Sequence, residues 1–255
     1  MSRAGQGAAG GPEGRPRAPL LAIDTATQQA AIAIGDGRAE PLAARSWRAG
    51  YRHGEELLAV LDELLHEAGI ELRDLGGIVA GTGPGAFTGL RVGLATAKGL
   101  AYGLRVPIVG VASTAGLAVA ALGAARGTAL APVAVLLPAG PHDRYLARYR
   151  IAGTPWPEPL GDPELVPGGE PLAARLAGMS LVAVDLPAGP EIGAAAVALG
   201  AAAQERLGGS LLSLGRGALE AGRADDVAEL VPAYVTLPRG ITAHAGTIEG
   251  SRDLR

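Results

Sequence analysis

The residues with most capacity for chemistry lie in the stretch Gly81-Thr82-Gly83-Pro84-Gly85-Ala86-Phe87-Thr88-Gly89-Leu90-Arg91-Val92-Gly93, where five of thirteen positions are glycine. An apolar run, Ile78-Val79-Ala80, precedes it and reads as a strand. An apolar-periodic run from Leu90 to Tyr102 follows it and reads as a helix. Such a turn lets the backbone come close to a ligand or another chain, and free N–H groups at a helix start favour an anion. No Gly-Lys-Ser/Thr triplet follows, so this is not a Walker-type phosphate loop. Thr88, at the helix start, reads equally as a cap. Arg91, one turn further on, either reaches an anion or is an ordinary surface arginine. The competing reading of the glycines Gly83, Gly85 and Gly89 is packing in a tight turn.

A second group, Asp24-Thr25-Ala26-Thr27, closes an apolar strand, Leu20 to Ile23. A carboxylate at a strand end that faces a cleft can position a metal-bound or water-bridged phosphate, and Thr25 can bond in the same turn. The alternative is a turn held by Asx-type hydrogen bonds. The four histidines offer no metal pair. His53 and His66 are thirteen residues apart, and His142 and His244 stand alone. There is no Gly-x-Ser-x-Gly elbow, no His-Glu-x-x-His and no acid pair with a matching base.

These residues need elements to position them. Ala30 to Ile34 pairs with the first strand as a hairpin partner, Gly35-Asp36-Gly37 turns, and Glu40 to Trp47 is a third strand. A helix is expected over 54–68, where Leu57, Leu58, Leu61, Leu64 and Leu65 share a face and Gly69 ends it. Val106 to Val111 is a strand, and an Ala-rich helix runs from Ser113 or Thr114 to Leu122. Beyond it, strands are expected at 131–137, 145–151 and 181–186, a loop at 153–171, and helices at 192–207 and 219–230. The order of the first half recurs loosely in the second, which predicts two similar α/β lobes. The expected divisions are a disordered leader over 1–19, an N-terminal lobe over 20–111, a C-terminal lobe over 112–240 whose final helix can return to the first, and a disordered tail over 241–255.

Composition narrows the function. The 255 residues are 48% hydrophobic but only 3% aromatic, so the core is aliphatic and base stacking is not the binding mode. A net charge of −3 does not suit a nucleic-acid binder, and Lys98 is the single lysine. The absence of cysteine removes disulfides and thiolate chemistry, and fits a cytoplasmic location. No secretory signal or membrane-spanning run is present.

Taken together, Leu21-Ala22-Ile23-Asp24-Thr25-Ala26-Thr27, the run Gly83 to Gly93, Gly99-Leu100-Ala101, Pro107-Ile108-Val109-Gly110-Val111 and the closing Pro232-Ala233-Tyr234-Val235 resemble the TsaB family. The resemblance covers residues 20–122 well and the remainder weakly. It implies a two-lobed actin-like, Hsp70-like ATPase fold of the ribonuclease H type. It implies a non-catalytic partner of the TsaD-type catalytic paralogue in threonylcarbamoyladenosine synthesis on tRNA, with a TsaE-type ATPase completing the complex. The paralogue carries a His-x-x-x-His metal pair where this chain reads Ala112 to Ala120 without a histidine. The resemblance assigns the interface to the first two helices, and so to His53, Leu57, Leu58, Leu61, Leu65, Leu94 and Lys98, with a homodimer when the partner is absent. It implies no cofactor of the chain's own, ATP or ADP and Mg at the level of the complex, and only indirect contact with tRNA. The alternative is an ATP-dependent small-molecule kinase of the same superfamily, in which Asp24 and the glycine loop hold phosphates around magnesium. The old glycoprotease name finds no nucleophile set here.

Overall fold

A computed structural model of the chain describes residues 18–38, 40–49, 53–125, 132–151 and 156–235; the expected leader and tail lie almost wholly outside these. The first sheet is built from β1 (Leu20–Asp24), β2 (Gln29–Gly35), β3 (Ala43–Arg48), β4 (Gly77–Gly81) and β5 (Ile108–Val111), in the order β3-β2-β1-β4-β5. β2 is antiparallel to β1 and β3, whereas β4 and β5 run parallel to β1. α1 (His53–Ala68) and α2 (Phe87–Leu104) make the crossovers before β4 and β5, and α3 (Ser113–Ala124) leaves the sheet after β5. Parallel strands flanked by helices are covered on both faces. All five residues of β1 and of β4 are accordingly buried.

The second sheet repeats this plan in shortened form. β6 (Val133–Pro138) pairs antiparallel with β7 (Arg144–Arg150), which takes β8 (Glu158–Pro159) and β9 (Glu164–Val166) on its other side. β10 (Ser180–Ala183) runs parallel to β6. Together the two sheets form the two-lobed actin-like, ribonuclease H-type arrangement.

α4 (Ala194–Glu220) joins the sheets. With α3 it fills one aliphatic core that takes Leu20, Ala22, Ala33 and Val79 from the first sheet and Val133, Val135 and Val182 from the second. The helix comes this close because glycines face the strands. A Cβ on Gly200 would sit 1.9 Å from the Ala183 carbonyl oxygen, one on Gly208 2.8 Å from Ala33 Cβ, and one on Gly215 2.1 Å from Val79 Cγ2. On the opposite face of the first sheet, Leu21, Ile23, Ile32 and Ile78 pack against Leu57, Leu61, Leu64 and Leu65 of α1 and Leu94 of α2.

Two local expectations need correction. The helix foreseen over 219–230 is not formed as such: α4 runs on to Glu220, Gly222 adopts φ +70°, and 223–235 is an irregular strap with a single turn at 227–229, where the Leu230 N–H donates to the Asp226 carbonyl at 2.9 Å. The loop foreseen over 153–171 holds β8 and β9, strands of two and three residues.

Candidate functional site

The glycine loop connects β4 to α2 and lies directly against the turn after β1. The Ala86 N–H donates to the Ala26 carbonyl at 2.7 Å, and a Cβ on Gly85 would stand 2.1 Å from that same oxygen. The Thr25 hydroxyl donates to the Gly89 carbonyl at 2.7 Å. A Cβ on Gly93, one helical turn further on, would meet Thr25 Oγ1 at 2.1 Å. Gly83 has φ +93°, a backbone region glycine occupies without strain, and its N–H donates to the Ser113 hydroxyl at 3.0 Å. The glycines therefore bring the first turn of α2 onto the end of β1.

Asp24 is completely buried within this junction. Its carboxylate accepts hydrogen bonds from the Ala26 N–H and from the Ser113 hydroxyl at the start of α3. Burial pushes its pKa up, and the bonds from Ser113 and Ala26 oppose that rise. Asp24 and Thr25 were expected at an anion site. The structure instead gives them internal partners and no place in a cleft wall.

A cleft of about 620 Å³ opens between the two sheets. Ala26, Thr27, Gln28, Gly85 to Gly89 and Val92 line one side, and Leu137 to Gly140, Tyr145 and Asp185 the other. Of the expected binding residues it takes Gly85, Thr88 and Gly89, and leaves out Asp24, Thr25, Gly83 and Arg91. Asp185 is the one charged side chain among the described residues of its wall. Its Oδ2 accepts the Gln28 N–H at 2.7 Å and its Oδ1 the Gln204 amide at 3.3 Å, so it links the end of β10 to the turn after β1. No group of three or more His, Asp or Glu side chains able to hold a metal occurs among the described residues.

Arg91 points elsewhere. Its guanidinium lies 3.6 Å from the centre of the Phe87 ring and donates to the Tyr234 hydroxyl at 3.1 Å. Sequence reasoning singled out Tyr234 only as part of a closing motif; its pairing with Arg91, 143 residues away, carries no local signal.

The expected interface residues are also redistributed. Leu57, Leu61, Leu65 and Leu94 are core side chains, between 1% and 8% exposed, which corrects their assignment to a contact surface. Leu58, at 58% exposure, is the leucine of that group that faces outward. Lys98 donates to the carbonyls of Ala228 and Leu230 in the strap. His53 opens α1, and the structure describes only its backbone.

Residues 48–162 match the family model for TsaD, tRNA N6-adenosine threonylcarbamoyltransferase. The tRNA threonylcarbamoyladenosine biosynthesis protein TsaB of Escherichia coli K12 is 33% identical over 132 residues, covering 51% of this chain and 54% of that protein. The solved structure of YeaZ from Pseudomonas aeruginosa superposes with a TM-score of 0.63 at 26% identity, over 86% of this chain and all of that one. The chain is thus similar to TsaB-family proteins in sequence and in fold. The TsaB match spans about half the length of the curated relatives. Kinship extends past TsaB itself: the tRNA N6-adenosine threonylcarbamoyltransferase of Geotalea uraniireducens is 39% identical over 107 residues, 36% of this chain and 31% of that enzyme. Among the described residues, no helix is long and apolar enough to cross a membrane.

Proposed function

We propose that this chain is a subunit without a reaction centre of its own in the synthesis of tRNA threonylcarbamoyladenosine, and that it binds a TsaD-type transferase through α1 and α2. The observation that carries this reading is its double kinship: it matches TsaB proteins and, more briefly, the transferase. The donor chemistry agrees. Residues 112–120 hold only Ala, Ser, Thr, Gly, Leu and Val, and both hydroxyls are engaged internally, Ser113 with Asp24 and Thr114 with Tyr149. Among the described residues the cleft wall presents one carboxylate, Asp185, and no cationic side chain, which favours a structural role over phosphoryl transfer. A net charge of −3 leaves tRNA binding to the partner. ATP and Mg, and a TsaE-type ATPase, belong to the assembly; a second copy of the chain takes the same face when the partner is missing.

The contact surface consists of side chains left outward on the two helices, with Leu58, Phe87 and Tyr102 the large apolar ones at 58%, 38% and 79% exposure. The test is co-purification with the TsaD-type paralogue of the same genome, with affinity measured by calorimetry. The wild-type chain is expected to form a heterodimer, and Leu58→Arg to weaken it at least roughly tenfold, the range of a buried apolar anchor. Because Leu58 is exposed, that variant keeps its fold, which Leu61→Arg in the core would not. A folded wild-type chain that does not associate overturns the reading.

A further inference from the structure

The segment after α4 crosses the parallel edge of the first sheet and ends on α2. Asp225 makes an antiparallel bridge to Ile108 of β5; its N–H donates to the Ile108 carbonyl at 2.8 Å and its carboxylate accepts the Gly110 N–H at 2.7 Å. Lys98 then holds the carbonyls of Ala228 and Leu230 at 3.2 and 3.0 Å. The Leu230 side chain lies where a Cβ on Gly110 would be, 2.6 Å from it. The Ala233 N–H donates to the Thr82 carbonyl, in the glycine loop, at 2.8 Å. Finally Tyr234 sets its ring 5.6 Å from that of Phe87 and its hydroxyl on Arg91.

Each of these contacts falls on the strand edge, the glycine loop or α2. The edge that β5 would leave open is closed in this way. The inner side of the first turn of α2 is held by the turn after β1, and it is the outer side that the strap supports. The N-cap of α2 is Ala86, which provides no side-chain bond, and Phe87, Thr88 and Arg91 are exposed. From these observations we propose that the strap 223–235 is a brace for the start of α2, and that Tyr234, Arg91 and Lys98 are positioning residues for the face on which the partner docks. The last clause rests on the function proposed above; the brace itself does not.

The experiment is hydrogen exchange on the free chain, resolved to the start of α2 and, as an internal reference, to the paired strands β1 and β4. Tyr234→Ala removes the ring pair and the arginine's acceptor. It is expected to speed exchange over residues 86–92 about tenfold and leave β1 and β4 unchanged. Lys98→Met, which keeps the aliphatic stem and releases the strap at its middle, is expected to reproduce the effect, while Tyr234→Phe, which keeps the ring, should give a smaller one. Unchanged exchange over 86–92 in Tyr234→Ala overturns the brace, and so does an equal rise in β1 and β4, which would make the strap a general fold element. In the complex, Tyr234→Ala should weaken transferase binding. If the brace is found but partner affinity is unaltered, the positioning role falls. A wild-type chain that fails to bind indicts the functional reading instead.

Discussion

Asp24 illustrates how much a residue's role depends on what surrounds it. A carboxylate at a strand end, next to a glycine loop, has the right type and place for holding a phosphate. Here the loop closes over it, and burial raises its pKa while Ser113 and Ala26 donate to it. The consequence for stability has a definite sign. A carboxyl whose folded pKa lies above its unfolded value favours folding most at low pH, where both states are protonated. It loses that contribution as pH rises from the ordinary carboxylate range through the folded pKa. Asp24→Asn cannot ionise. Urea unfolding at a series of pH values should therefore show the wild type losing stability relative to Asp24→Asn as pH rises from about 4, the usual carboxylate range. A difference that stays flat with pH, or a wild type that gains stability relative to Asp24→Asn as pH rises, would remove the buried-carboxyl account. The same enclosure weighs against Asp24 as a magnesium or phosphate anchor.

Among the elements, α2 separates two uses of glycine that the sequence alone left joined. Gly85 and Gly93 touch the turn after β1, where a methyl would stand 2.1 Å from an oxygen; around Gly99 no atom comes within 4 Å of an added Cβ. Gly93→Ala should then lower stability by about 1–3 kcal/mol, the range for overpacking. Gly99→Ala should raise it by about 0.5–1 kcal/mol through helix propensity. Thermal or urea unfolding of the two variants decides this, and equal effects would refute the packing argument. Elements with a strong period were readable in advance. The α1 leucines and the chain reversal at Gly69, which has φ +67°, stand where their spacing placed them. Elements that depend on distant partners were not. α4 continues through Gly208-Gly209, where a local reading ends a helix, because Gly208 fits against Ala33. The strap resembles an Ala-rich helix locally, but keeps only one turn of that kind and is anchored to Ile108, Gly110 and Lys98. Likewise, the leucine face could be recognised as apolar but not divided into core and surface, since only the position of the sheet decides that Leu61 turns in and Leu58 out.

At the scale of the whole molecule, the decisive feature is that, besides a cluster on the outer side of each sheet, the core has one that belongs to both. One aliphatic cluster takes side chains from both sheets and from α3 and α4, and Asp185 adds a polar link from β10 to the turn after β1. Two lobes that can hinge would have separate cores and a wet interface. This arrangement instead calls for a single cooperative transition. The chain contains its own pair of reporters, because its two tryptophans lie in different lobes. Trp47 is on β3, where its indole N–H donates to Glu56 of α1 at 2.9 Å. Trp156 precedes β8 and lies near Gly217 and under Arg223 at the end of α4. In Trp47→Phe and Trp156→Phe, each with one remaining tryptophan, fluorescence follows one lobe at a time. Within each variant, the fluorescence midpoint in urea should coincide with that of far-ultraviolet circular dichroism, which reports on all the helices. A fluorescence transition in either variant that precedes the loss of helix would mean that its lobe unfolds alone. α4 would then be a tether between two units, and the chain would meet its partner as a hinged body and not as a rigid one.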